Sequence, residues 1–179
     1  MGMHALQTGV LTVEEFLRLP DPQEGHYELH HGEVVAIPPP KSGHHKIQDR
    51  LQMLLKKIFG ENYAVRMEMA FRPTPEHEVW VADVGAVSVE RDDATAPDDY
   101  LMGAPELVIE VLSPSNTVDE IYDKMFVSMS NGCNCFWVVD RKRQVVSVTQ
   151  GAVTTHYGVQ ATIVTSSPAI EVRVGEIFG

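Results

Sequence analysis

The sequence predicts an α/β (α+β) fold, a β-sheet with helices packed against it. Three observations carry this expectation. Tyr63 to Phe71 sets Val65, Met67 and Met69 against Arg66 and Glu68, the period-two pattern of a half-buried strand. Val79 to Val89 and Leu107 to Leu112 are dense apolar runs of strand length. Between them and the N-terminus, Ile47, Leu51, Leu54, Leu55 and Ile58 recur at helical spacing and predict a long amphipathic helix over 44–59.

The bulk properties fit one soluble domain over residues 1–179. The chain has 44% apolar and 22% charged residues, ordinary for a globular protein. No apolar run approaches a membrane span. The N-terminus, MGMHALQTGVL, lacks the basic and long apolar regions of a secretory signal, and Leu6 stands where a myristoylation signal wants Ser or Thr. Cys133 and Cys135 would share one strand face, too far apart for an unstrained disulfide, and two cysteines do not make a structural zinc site. Reduced, partly buried thiols and a cytoplasmic location are expected. A net charge of −11 argues against tight non-specific nucleic-acid binding, unless a local basic groove or a metal supplies positive charge.

The elements follow in order. Thr12 and Glu15 form a capping box for a short helix with Val13, Phe16, Leu17 and Leu19 on its apolar side, ended by Pro20. His26–Leu29 and Glu33–Ile37 flank His30-His31-Gly32 and predict a hairpin. Alternation alone puts Glu28 at a solvent-facing position of that hairpin. Pro38-Pro39-Pro40 cannot continue a sheet and leads into the long helix, whose first turn holds His44 and His45. A neutral His44 there is able to accept a proton or to bind a phosphate through its N–H. Lys46, Arg50, Lys56 and Lys57 give that helix a cationic outer face, read as solvated. Glu90 to Asp99 predicts an acidic surface loop. Val118 to Ser130 predicts a helix closed by Asn131-Gly132, and Phe136–Val139, Val145–Val148, Val153–Tyr157 and Ile170–Val174 predict further strands.

Two carboxylates lie inside apolar strands. Asp83 sits within Val81–Val87, although aspartate is depleted in strands. Glu110 interrupts Leu107 to Leu112 on the face it shares with Val108 and Leu112. Each either points out of an exposed face or is paired, because a buried unpaired charge is costly. If the two strands pair, both acids converge on one hard cation, and oxygen ligation with open water positions suits Mg²⁺ or Mn²⁺. Lys124, on the following helix, is either an ordinary solvated lysine or a group that orients a water or stabilises phosphoryl charge.

Taken in order, YELHHGEVV, PPPKSGHHKI, VADVGAV, PELVIEVLSPS, DK and FWVVD resemble the Uma-two family of restriction-endonuclease-like proteins. The resemblance spans about 27–140, which would be the core, with C-terminal strands over 143–174. It implies the PD-(D/E)xK nuclease fold: a mixed central sheet with flanking helices and added hairpins. It also implies Asp83 and Glu110 as metal ligands and Lys124 as the catalytic lysine. The usual lysine position, two residues after the glutamate, is Leu112 here. Glu28 matches the family's early acid and His44 its histidine. Ala82 replaces a usual proline, Trp80 a frequent basic residue, and Val118-Asp119-Glu120 stands where basic residues are common. The expected function is a Mg²⁺- or Mn²⁺-dependent endonuclease acting on DNA, with a homodimer as the form that cuts both strands. Its rivals are a catalytically weak binding or regulatory module, and a structural protein whose strand acids are paired by Arg66 or Arg72.

Overall fold

Strands that cannot satisfy their backbone groups alone must pair, and this chain pairs seven of them into one sheet covered by helices. The computed structural model describes residues 9–114 and 116–179. The expectations about Leu6 and a signal or lipid anchor at the N-terminus therefore fall outside the described residues.

Thr12 and Glu15 cap α1 (Val13–Phe16) reciprocally, as expected. β1 (His26–His30) and β2 (Glu33–Ile37) form the hairpin, and His31 and Gly32 at its turn take φ of 52° and 79°. Two positive φ values are what a tight two-residue turn of mirror-image type requires. α2 (Ser42–Phe59) starts at Ser42 rather than His44. β3 (Tyr63–Arg72) and β4 (Trp80–Ser88) follow. The predicted acidic loop instead opens with a helix, α3 (Val89–Ala94). Arginines hold it down: Arg66 pairs with Asp92 at 2.5 Å, and Arg91 donates to the carbonyls of Ala104 and Met102 at 3.0 and 2.8 Å.

β5 (Leu101–Met102) and β6 (Leu107–Val111) precede α4 (Val118–Ser130), which Thr117 and Glu120 cap. β7 (Cys135–Asp140), β8 (Val145–Gln150) and β9 (Val153–Gly158) complete the sheet. A separate hairpin of β10 (Thr162–Ser166) and β11 (Ala169–Arg173) leads to α5 (Val174–Phe178). β5, β10 and α5 are absent from the sequence reading.

The sheet order is β5-β3-β4-β6-β7-β8-β9, and it is mixed. β4 runs antiparallel to both β3 and β6, while β6 and β7 are parallel. A parallel pair needs a crossover, and α4 provides it. One face of the sheet carries Leu107, Ile109, Val111, Trp137 and Val139 against Ile47, Leu51 and Leu55 of α2 and Ile177 of α5. Val108 and Phe136 lie in the opposite core with Val127 of α4. The alternation read along β6 is therefore the alternation found, with both faces buried. Leu29 and Val79 join the β1–β2 hairpin to the start of β4 through a pair of backbone hydrogen bonds of 2.8 and 2.9 Å.

The regular pattern breaks in the middle of β3 and β4. Val65, Met67, Val84 and Ala86 pack in the α2-side core, but Met69, Phe71, Trp80 and Ala82 pack in the other. Glu68, between the pairs Met67–Val84 and Met69–Ala82, takes a φ of 48°, a left-handed conformation unusual for a residue with a side chain. The β4–β6 ladder also stops here, at Val84–Ile109. Past this point β4 and β6 part, and the acids predicted from the sequence stand where they separate.

Cys133 and Cys135 are buried free thiols. Cys133 Sγ donates to the Cys135 carbonyl at 3.1 Å, and Trp137 Nε1 donates to Cys135 Sγ at 3.0 Å. No helix among the described residues is long and apolar enough to cross a membrane.

Candidate active site

Where two strands diverge, their backbone donors need other partners. Here side chains supply them. Val111 N–H donates to Asp83 Oδ2 at 2.6 Å, and Asp83 N–H faces Glu110 Oε1 at 3.4 Å. The two strand carboxylates thus close the gap between β4 and β6, and both line a cleft of about 960 Å³. The β1–β2 hairpin, the N-terminal end of α2 and the face of α4 form its walls.

Each expected residue reaches this cleft. Lys124 is not a solvated helix lysine: it is 8% exposed, and its Nζ lies 3.1 Å from Glu110 Oε1 and 3.9 Å from Glu28 Oε1. It also donates to the Val81 carbonyl. Glu28 is not solvent-facing either, being 3% exposed. Both faces of β1 are covered: Leu29 packs with Leu11, Val13, Phe16 and Val79, while Glu28 looks across the cleft toward Lys124. Alternation within one hairpin carries no record of what covers its second face. His44, in the first turn of α2, donates from Nε2 to Asp83 Oδ1 at 2.9 Å.

Four further groups, Gln48, Glu68, His26 and His30, complete the arrangement. Gln48 lies one turn beyond His44 on the same helix face, fully buried, and donates to Asp83 Oδ1 at 3.2 Å and to Glu68. His26 and His30 flank Glu28 on one face of β1 and donate to its two oxygens at 3.3 and 2.8 Å. The i+4 spacing from His44 and the i±2 spacing around Glu28 were the available signals for these residues. Glu68 had none, because its position depends on its unusual backbone conformation. Arg66 and Arg72 do not pair the strand acids: Arg66 holds Asp92, and Arg72 reaches Asp99 at 3.3 Å and the Pro75 carbonyl at 2.5 Å.

The cluster gathers the carboxyl groups of Glu28, Asp83 and Glu110 around the single Lys124 ammonium, with Glu28 and Glu110 buried. Burial, with the neighbouring Asp83 and Glu28 carboxylates, pushes the Glu110 carboxyl up to about 8 against the pull of Lys124. Burial works the same way on Glu28, but Lys124 and the hydrogen bonds from His26 and His30 outweigh it and hold Glu28 well below the usual carboxylate range. Burial disfavours the Lys124 ammonium, yet Glu110, Glu28 and Asp83 hold it well above the ordinary lysine range.

The donor chemistry suits a hard divalent cation. Asp83 and Glu110 offer carboxylate oxygens from adjacent strands, and the mutual repulsion that helps push the Glu110 carboxyl up is what a cation between them would relieve. Among the described residues, no three His, Cys, Asp or Glu side chains form a ready-made metal cage.

Comparison with known proteins agrees with this architecture. A solved structure titled as a "putative nuclease belonging to DUF820" from Anabaena variabilis superposes with a TM-score of 0.80 at 20% identity, covering 94% of this chain and 97% of that one. The two share a fold. No curated protein matches the chain. The model of the Uma2 family, described as "Putative restriction endonuclease", matches residues 13–174. With a matched span running from α1 to the start of α5, the chain belongs to the Uma2 family.

Proposed function

We propose that the cleft is the active site of a metal-dependent endonuclease that hydrolyses phosphodiester bonds in DNA. The observation that carries this reading is the junction of Asp83, Glu110 and Lys124 where β4 and β6 part, with Lys124 Nζ 3.1 Å from Glu110. Asp83 and Glu110 are the residues that would hold Mg²⁺ or Mn²⁺. Bound there, the cation neutralises phosphate charge and lowers the pKa of a water.

The chain's own groups do the rest. His44 and Gln48 fix the Asp83 carboxylate, each from α2. Lys124, kept cationic by its carboxylate neighbours, stabilises charge gathering on the phosphoryl oxygens. Lys41 and Arg141 line the cleft and offer further phosphate contacts on a chain whose net charge is −11. The acidic balance is consistent with binding that depends on the cation. It also favours the second reading, a binding or regulatory module on a nuclease fold.

Supercoiled plasmid and single-stranded DNA incubated with Mg²⁺ or Mn²⁺ separate these readings. Wild-type cleavage that Glu110→Ala and Lys124→Ala both abolish supports the enzyme. Cleavage that persists in both variants puts the active site elsewhere. No cleavage by any of the three leaves the binding module.

A further inference from the structure

Glu28 is the carboxylate of the cleft that imidazoles surround. Its Oε2 accepts from His30 Nε2 at 2.8 Å and its Oε1 from His26 Nε2 at 3.3 Å, with Lys124 Nζ 3.9 Å from Oε1. His30 is the better fixed of the two rings. It stacks on Trp80 with centroids 3.6 Å apart and planes 7° from parallel. Trp80 is in turn anchored by its Nε1, which donates to Glu78 Oε2 at 2.5 Å. His30 lines the cleft, and its Nδ1 has no hydrogen-bond partner among the described residues.

A carboxylate behind one ring nitrogen sets the tautomer and stabilises the imidazolium, so the other nitrogen is free to exchange a proton with a substrate. The position selects the direction of transfer. His30 lines the same cleft as Asp83 and Glu110 but binds neither of them: it meets Glu28, which faces Lys124, which in turn meets Glu110, whereas His44 is bound to Asp83. In an in-line displacement the attacking and leaving oxygens occupy opposite sides of the phosphorus. With a water activated beside Asp83 and Glu110 the leaving oxygen falls away from that pair, and His30 is the carboxylate-backed imidazole of the cleft that binds neither acid.

Resting on the nuclease reading above, we propose that His30 is the general acid that protonates the leaving oxygen. Water adds to phosphorus and releases its proton to solvent. The bond from phosphorus to the leaving oxygen breaks with its electron pair on that oxygen, which takes the Nδ1 proton. The imidazole keeps its Nε2–H on Glu28 and regains the Nδ1 proton from bulk water. Glu28 is the positioning residue. The charged and titratable groups around the ring are Glu28 and His26 on β1, Glu78 beside Trp80, Lys124 and Asp123 on α4, and His31, which Glu78 and Asp123 both bind at 2.8 Å.

The test compares wild type with His30→Asn and with His30→Phe, which keeps a ring on Trp80 but carries no proton. Plasmid DNA and bis(p-nitrophenyl) phosphate are the substrates, the second having a leaving group that departs without a proton. Both variants are expected to cut plasmid about 100-fold more slowly and the aryl ester at about the wild-type rate. Wild-type plasmid cleavage falls as the pH is raised, and both variants lose that fall. Equal losses on the two substrates, or an unchanged plasmid rate, would overturn the role of His30 while leaving the nuclease reading intact. If wild type cuts plasmid but not the ester, the pH profile decides alone: a fall retained in the variants overturns the proposal. Wild type that cuts neither overturns the nuclease reading and the proposal with it.

Discussion

Removing the Lys124 ammonium should leave Glu28 as a buried carboxylate without its lysine partner. Their side chains are 10% and 4% exposed, and the Nζ–Oε1 distance is 3.9 Å. At an effective dielectric of about 20, that separation corresponds to an attraction of about 4 kcal/mol. Glu110 contributes less at neutral pH, because its carboxyl is pushed up to about 8 by burial first and by its acidic neighbours. Replacing lysine by methionine keeps the length and returns the cost of burying an ammonium, so the net loss should be about 3 kcal/mol, in the range for breaking one partner out of a buried pair. Urea unfolding of the metal-free protein at pH 7 would read this as a lower midpoint with an unchanged slope. Adding Glu28→Gln to Lys124→Met removes the stranded charge and should recover about half of the loss. A cost for Lys124→Met below about 1 kcal/mol, the range of an exposed pair, or a further loss when Glu28→Gln is added to it, would refute this buried pairing.

Three further outcomes follow from the same structure. Glu110 binds its proton more tightly folded than unfolded, so its contribution is complete below pH 4.5 and is lost as pH rises through about 8. The metal-free protein should therefore weaken across that window by up to about 1.4 kcal/mol per pH unit, and Glu110→Gln should flatten the slope in urea melts at pH 5 and pH 9; a wild type that strengthens over this range contradicts it. Burial pushes the Cys133 thiol up to about 12 and the Cys135 thiol up to about 11, so iodoacetamide at pH 8 should leave both unmodified until the chain is unfolded, and rapid native labelling would be the contrary result. A Cβ on Gly85 would stand 2.6 Å from Met69 Sδ and 3.0 Å from Met69 Cβ, so Gly85→Ala should lower stability by about 1–3 kcal/mol, whereas a thermal midpoint at or above wild type would show that Met69 gives way freely.

Much of the architecture was legible because it rests on local periodicity. The stripe of Ile47, Leu51 and Leu55 gave α2, and the alternation of Leu107, Ile109 and Val111 against Val108 gave both faces of β6. The strand carboxylates Asp83 and Glu110 were conspicuous for being polar in apolar runs, and the order of motifs tied them to Lys124 and His44. What escaped depends on non-local cover. Glu28 reads as exposed until α4 brings Lys124 over the hairpin's second face. β3 and β4 change core at Glu68, so a period-two reading carried through that point assigns Met69 and Phe71 to the wrong face. β5 has two residues, too few for a pattern, and α3 forms because Arg66 and Arg91 anchor a segment whose composition alone reads as loop.

Asp83 and Glu110 are proposed to hold one divalent cation together. Titrating Mn²⁺ into the purified protein, with free Mn²⁺ followed by electron paramagnetic resonance, tests it most directly. Saturable binding of one ion per chain, lost in Asp83→Asn and in Glu110→Gln but kept in His45→Ala, is the result the account predicts. Binding that survives both substitutions, or the lack of any saturable site in wild type, would contradict it.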